Sequence, residues 1–163
     1  MCPWTDARRI SRRRLLGLAW PAAAAVCCGL SGCSTQLHLV AAHQRRSEVY
    51  ARTPVSPGTV ISHSWIHSIE LSRWSDFYRV EPDRLVLSKT EFSEYGAGMP
   101  LDEGDLRLTD GKIVIENIGR DFTTIRWFHS HRAQYRIGVD GDLRVIDAGS
   151  LPDREPLELR LEN

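Results

Sequence analysis

Cysteine is almost absent from most of this chain. Of its four cysteines, three lie within the first 28 residues, and the last is Cys33. The segment after Cys33 therefore has no internal disulfide, no thiolate metal site and no cysteine nucleophile, whatever the redox state of its compartment.

Lysine is also scarce, so the positive charge comes almost entirely from arginine. The chain has 21 basic and 21 acidic residues, but five arginines and a single aspartate fall within residues 1–32. Residues 33–163 then carry 16 basic and 20 acidic side chains, a net charge of −4. Because a mildly acidic chain without a basic stripe releases few counterions from a phosphate backbone, we expect no nucleic-acid partner.

A hydrophobic run long enough to span a membrane is missing too. Residues 15–30 are mostly apolar, but glycine and proline interrupt them, and they fall short of the about 20 residues that a spanning helix needs. Arginines precede this run in residues 11–14 (SRRR), and small residues precede Cys33 in residues 30–33 (LSGC). This order is typical of an export signal that ends in a bacterial lipoprotein cleavage site.

This signal predicts the cellular location of the protein but not its activity. We expect a lipoprotein-type signal peptide over residues 1–32 and a lipid on Cys33 that anchors the protein to a bacterial membrane, on its extracytoplasmic side. The consecutive arginines favour the twin-arginine export route over the general one. Ser34 after the lipidated cysteine favours the outer membrane under the sorting rule of enteric bacteria.

The rest of the chain divides into a linker and one domain. Residues 33–57 contain polar and proline-rich stretches, so we expect the lipidated cysteine and a linker there, followed by a β-domain over residues 58–163. Within this segment, residues 48–52 are either a short strand or part of the linker. Three turns between alternating apolar runs predict hairpins at residues 81–84, 109–112 and 140–142. No segment has a helical period, so the fold is predicted to be all-β: a single small antiparallel β-barrel or β-sandwich domain.

Two segments bring histidines to an apolar, aromatic row. If each is a strand, one face of the first carries His63, Trp65, His67, Ile69 and Leu71. One face of the second then carries Ile125, Trp127, His129 and His131. His63 and His67 are about 13 Å apart along an extended strand, so only one of them could join His129 and His131 on a metal such as zinc or copper. The alternative is that these histidines are simply satisfied by hydrogen bonds, and no cofactor is expected in that case.

A family resemblance rests on residues 67–70 (HSIE), 76–80 (DFYRV) and 96–100 (GAGMP). These segments resemble domain-of-unknown-function family 1850, small exported bacterial proteins with His-Ser-Val-Glu and Gly-Ala-Gly-Leu-Pro signatures, over residues 59–162. This chain has Ile69, Asp76 and Met99 where the family has valine, glutamate and leucine. The resemblance implies signature positions at His67, Ser68, Glu70, Gly96 and Gly98, without an established activity.

The resemblance also implies a partner. Such proteins are often encoded beside TRAP-type (TAXI subgroup) transporters, whose substrates are commonly organic acids. We therefore expect a non-enzymatic accessory protein that binds a transporter component or a small anionic solute, with Arg126 beside the signature positions at its site. A histidine-ligated metalloprotein, such as a hydrolase, is the alternative.

Overall fold

Two antiparallel β-sheets make up the fold of this protein in a computed structural model, which describes residues 36–94 and 103–163. The four-stranded sheet has the order β2 (Val49–Pro54), β1 (His38–His43), β11 (Glu155–Glu162), β8 (Thr124–His129). The seven-stranded sheet has the order β10 (Asp142–Ile146), β9 (Arg136–Val139), β3 (Val60–Ile66), β4 (Arg73–Val80), β5 (Leu85–Phe92), β7 (Lys112–Phe122), β6 (Asp105–Thr109). A three-residue 3₁₀ helix, His131–Ala133, follows β8.

The core lies between the two sheets. One sheet buries Leu39, Ala41, Leu157 and Leu159, and the other buries Ile61, Leu85 and Ile137 against the same cluster. A smaller cluster of Trp74, Phe92, Ile113 and Ile115 lies within the seven-stranded sheet. The all-β prediction is confirmed, and of its two forms the structure is the sandwich, because the sheets remain separate.

The three predicted hairpins are present, as β4–β5, β6–β7 and β9–β10. Thr109 pairs with Lys112, so the β6–β7 connection is a two-residue turn. Its residues Asp110 and Gly111 both have positive φ, 53° and 73°, which is the backbone of the tight turns that match strand twist. Asp140 and Gly141 repeat this geometry between β9 and β10. The Asp-Gly pairs therefore determine the turn geometry of these two hairpins without help from distant residues.

The expected linker is wrong over residues 38–43, which form β1, and of the two alternatives for residues 48–52 the structure has the strand, β2. β1 is a central strand, paired with β2 on one side and with β11 on the other. Its outward-facing Val40 is as inaccessible as its inward-facing neighbours, at 0 % exposure. Arg52 and Arg160 lie opposite Val40 on the flanking strands, and long arginine stems cover apolar surface while their charged ends stay in water.

The arginines on that outer face are held by carboxylates. Arg160 bonds both Glu158 and Glu162 at 2.8 and 2.6 Å, and Arg126 bonds Glu158 at 3.3 Å. Among the residues described, no helix has the length and apolar character needed to cross a membrane. Cys33 and the predicted signal peptide lie outside the described residues.

Candidate functional site

The signature segment His67–Glu70 is a turn and does not continue β3. The chain reverses between β3 and β4, where the N–H of His67 donates to the carbonyl of Ser72 at 2.8 Å. The predicted face therefore ends at Trp65, and Ile69 and Leu71 are 72 % and 75 % exposed instead of facing inward. Leu71 has φ 53°, a left-handed conformation that leucine seldom adopts and that the sequence does not signal.

Within this turn, three of the predicted site residues lie together. Nδ1 of His67 contacts Oε2 of Glu70, and Ser68 lies between them in the chain. The ring of His67 also lies 5.7 Å from that of Trp74. Gly96 and Gly98 lie outside the described residues. Arg126 lines a different cavity from the one beside His67 and Ser68.

The histidines predicted as metal ligands have other partners. Nδ1 of His129 accepts a hydrogen bond from the indole of Trp127 at 3.2 Å, and its Nε2 donates to the carbonyl of Ala148 at 3.1 Å. Nε2 of His131 donates to the carbonyl of Leu151 at 2.8 Å. Both nitrogens of His129 are thus occupied, as the hydrogen-bonding alternative predicts. Within the part of the chain that the structure describes, no three His, Cys, Asp or Glu side chains are grouped to hold a metal ion.

His63 is different, because it is buried at 3 % exposure and its Nε2 has no hydrogen-bond partner among the described residues. Its ring stacks on Tyr135 at 5.3 Å and lies 4.9 Å from Trp127. Burial, and secondarily the nearby His129, lowers the pKa of His63 to about 3. The imidazole is therefore neutral at ordinary pH.

Asp76 faces His63 across the β3–β4 pair. Its Oδ1 accepts hydrogen bonds from the indole of Trp74 at 2.9 Å and from the hydroxyl of Thr90 at 2.6 Å. Tyr78 donates to its Oδ2 at 3.3 Å. Burial raises the pKa of Asp76, and these neutral donors oppose that shift only in part. Sequence reasoning did not single out Asp76 as a site residue, although it lies in the family-like segment.

A second group, also missed from the sequence, consists of three arginines in the part of the seven-stranded sheet that runs from β10 at one edge to β4 at the centre. Arg136 and Arg144 line a cavity of about 260 Å³. Arg73 lies beside them and donates to the hydroxyl of Ser64 at 3.2 Å and to the carbonyl of Gln134 at 3.3 Å. The pKa of Arg73 is lowered by burial and then by the positive charges of Arg136 and Arg144.

These three guanidinium groups differ from most others in the described chain, because they make no ion pair with a described carboxylate. Asp147 lines the same cavity, but its Oδ1 accepts from the N–H of Gly149 at 3.0 Å. Arg136, Arg144 and the neighbouring Arg73 outnumber the single carboxylate of the lining, Asp147, and this excess of positive charge favours binding of an anion. Arg136 and Arg144 lie on the two strands of one hairpin, whereas Arg73 on β4 is far from them in sequence, so only strand pairing reveals the complete group.

Comparison with known proteins gives one match. Residues 61–144 match the model of the family described as "Domain of unknown function (DUF1850)". A search of curated proteins and a search of solved structures each gave no significant match. The matched segment contains the signature turn, Asp76 and the arginine group, and it is more than half of the chain. The protein therefore belongs to the DUF1850 family.

Proposed function

We propose that this protein is a lipid-anchored extracytoplasmic binding protein that holds a small organic anion for a TRAP-type transporter. The observation that carries the proposal is the arginine group at the cavity of about 260 Å³. The predicted signal peptide and lipidation at Cys33 support the location. The transporter partner rests on the family resemblance, and the organic acid follows from that partner.

The chemistry of the cavity suits a carboxylate. A guanidinium presents parallel N–H donors that match the two oxygens of a carboxylate, and it keeps its charge at any physiological pH. Arg73 is not part of the cavity lining, but its hydrogen bonds to Ser64 and to a backbone carbonyl hold it near the two arginines that are, where it adds positive charge. A bound anion also relieves the repulsion among the three positive charges.

The arrangement favours binding over catalysis. Of the histidines that line this cavity, His129 has both ring nitrogens in hydrogen bonds, and Nε2 of His131 donates to a carbonyl. A general base needs a free nitrogen within hydrogen-bond reach of the substrate proton, so His129 is unsuited to that role, and of the ring nitrogens of these two histidines only Nδ1 of His131 is left for it. The cavity therefore offers charge and hydrogen-bond donors for recognition of a solute.

The test is calorimetric titration of the purified full-length chain with succinate. We expect saturable binding, and we expect Arg136→Gln and Arg144→Gln each to weaken it about tenfold or more, since each removes a charged hydrogen-bond donor. Arg107→Gln is the matched control, because Arg107 lies on β6 at the opposite edge of the sheet. Its succinate affinity should equal that of the unmodified chain.

Two outcomes contradict the proposal. If succinate does not bind while inorganic phosphate does, the cavity is an anion site but the organic-acid assignment is wrong. If succinate binds equally well to folded Arg136→Gln and Arg144→Gln, the site lies elsewhere.

A further inference from the structure

A second cavity, of about 180 Å³, lies between the two sheets, and its lining differs chemically from that of the cavity beside the arginine group. Its walls are aromatic and aliphatic side chains together with one carboxylate and one imidazole: His63, Trp65, Asp76, Ile125, Trp127 and Tyr135, with Arg126 and Tyr78 completing the lining. Concave sites with mostly apolar walls and a few convergent polar groups are the usual form of small-molecule sites.

The carboxylate in this cavity lacks a counter-charge. Asp76 accepts hydrogen bonds only from the neutral donors Trp74, Tyr78 and Thr90, and none of the ion pairs among the described residues includes it. Arg120 acts on it only at longer range and is itself bonded to Glu103 at 2.6 and 3.1 Å. A carboxylate withdrawn from water without a cation is costly, so a cationic ligand there gains more than it would at the surface.

The aromatic walls also favour a cation. Trp65, Trp127 and Tyr135 surround His63, with ring centroids 4.9 to 5.5 Å from its own. The face of an aromatic ring carries partial negative charge, and indole is the strongest of the three aromatic side chains in attracting a cation. The positive side chain at the edge of the cavity, Arg126, is paired with Glu158 at 3.3 Å and is therefore already compensated.

The imidazole supplies a second acceptor. Nε2 of His63 is buried, has no partner among the described residues and belongs to a side chain that lines the cavity. Buried polar atoms in native proteins are nearly always hydrogen-bonded, so an unpartnered one in a cavity indicates a ligand that completes the bond. A neutral imidazole can accept a hydrogen bond, which suits a ligand with N–H donors.

We propose that this cavity binds a protonated amine. The ammonium group donates to the carboxylate of Asp76 and to Nε2 of His63, and the carbon skeleton packs against Trp65 and Trp127. An organic acid is the wrong ligand here, because its carboxylate would meet the negative charge of Asp76. Tyr135 lines this cavity and the arginine cavity alike, so the two sites share one wall.

The test uses n-butylammonium, with n-butanol and butyrate as uncharged and anionic counterparts of the same chain length. Trp65 and Trp127 line the cavity, so tryptophan fluorescence of the purified full-length chain reports its occupancy, with calorimetry as a second readout. We expect saturable binding of n-butylammonium and much weaker binding of both counterparts. Equal or tighter binding of n-butanol or butyrate, or no saturable binding of n-butylammonium at millimolar concentrations, overturns the proposal without any variant.

Substitution then locates the site. Asp76→Asn keeps a carbonyl acceptor for the neutral donors but removes the charge, and it should weaken n-butylammonium binding about tenfold or more. Asp83→Asn, in the exposed β4–β5 turn, is the matched control and should leave the affinity unchanged. Unchanged affinity in a folded Asp76→Asn chain overturns the proposal. If that variant does not fold, the comparison of the three probes on the unmodified chain still decides it.

Discussion

His63 shows how strongly one buried residue makes stability depend on pH. Its pKa of about 3 lies well below the ordinary value near 6.5, because burial disfavours the imidazolium. Between these two values the unfolded chain takes up a proton at this position and the folded chain does not. The unfolded state therefore binds more protons, and stability falls as the pH falls through this window.

We predict that His63→Gln reduces the loss of stability between pH 6.5 and pH 3. One group of this kind contributes a slope of at most about 1.4 kcal/mol per pH unit, so the free energy of unfolding of the variant should vary less steeply by up to that amount. Urea unfolding curves measured across this range check it. His131→Gln, at an exposed histidine, is the control and should keep the slope of the unmodified chain. Parallel profiles for all three proteins would show that His63 can become charged in the folded state.

Asp76 and the arginine group show what the sequence could not reveal about the candidate sites. The sequence identified His63 as an inward-facing histidine, because side chains alternate between the two faces of a strand and this pattern can be read from neighbouring residues alone. It did not identify Asp76 as its partner, since that pairing depends on the β3–β4 register. Arg73 meets Arg136 and Arg144 only through the pairing of β4 with β3 and of β3 with β9, whereas Arg126, which the sequence singled out, is neutralised by Glu158.

At the level of elements, local signals predicted the hairpins and failed for β1. The Asp-Gly turns require positive φ, and because glycine adopts positive φ easily, its position in the sequence predicts these turns. β1 gives no such signal, because both of its faces are buried and its apolar run does not alternate. The arginine stems that cover Val40 come from β2 and β11, and β11 is more than 100 residues away in the chain.

We predict that Ala41→Asp destabilises the domain by roughly 4 kcal/mol or more, or prevents folding, since it places a charge without a partner in the core. Ala41 is fully buried on the inward face of β1. Val49→Asp on the exposed side of β2 is the control and should change stability by less than about 0.5 kcal/mol. Thermal unfolding followed by circular dichroism measures both. Equal melting temperatures would mean that residues 38–43 are a linker after all.

At the scale of the whole molecule, the first and last strands complete one sheet together. β1 pairs with β11 along six residues of each strand, so the four-stranded sheet cannot close until the end of the chain is present. Contacts between such distant segments slow folding, because the chain loses loop entropy before those contacts form. The predicted twin-arginine route, which exports proteins already folded, is compatible with this topology.

We predict that Cys33→Ser abolishes attachment of the whole protein to the membrane. The substitution removes the thiol that is predicted to carry the lipid, and this lipid is the predicted membrane anchor. Cys28→Ser alters a neighbouring cysteine within the predicted signal peptide, so it serves as the control and should remain lipidated. Detergent-phase partitioning together with mass spectrometry of the mature N-terminus distinguishes the two. A wild-type protein that partitions into the aqueous phase would contradict the assignment.

The early start of β1 has a consequence for where the protein works. His38 follows Cys33 by five residues, and five extended residues reach at most about 18 Å. With the proposed lipid on Cys33, the domain would therefore stay against the lipid headgroups, with the end of the sandwich formed by His38, Pro54 and Glu162 nearest the bilayer. The proposed solute would then be confined to a thin layer above the membrane surface, within direct reach of proteins embedded in the same bilayer.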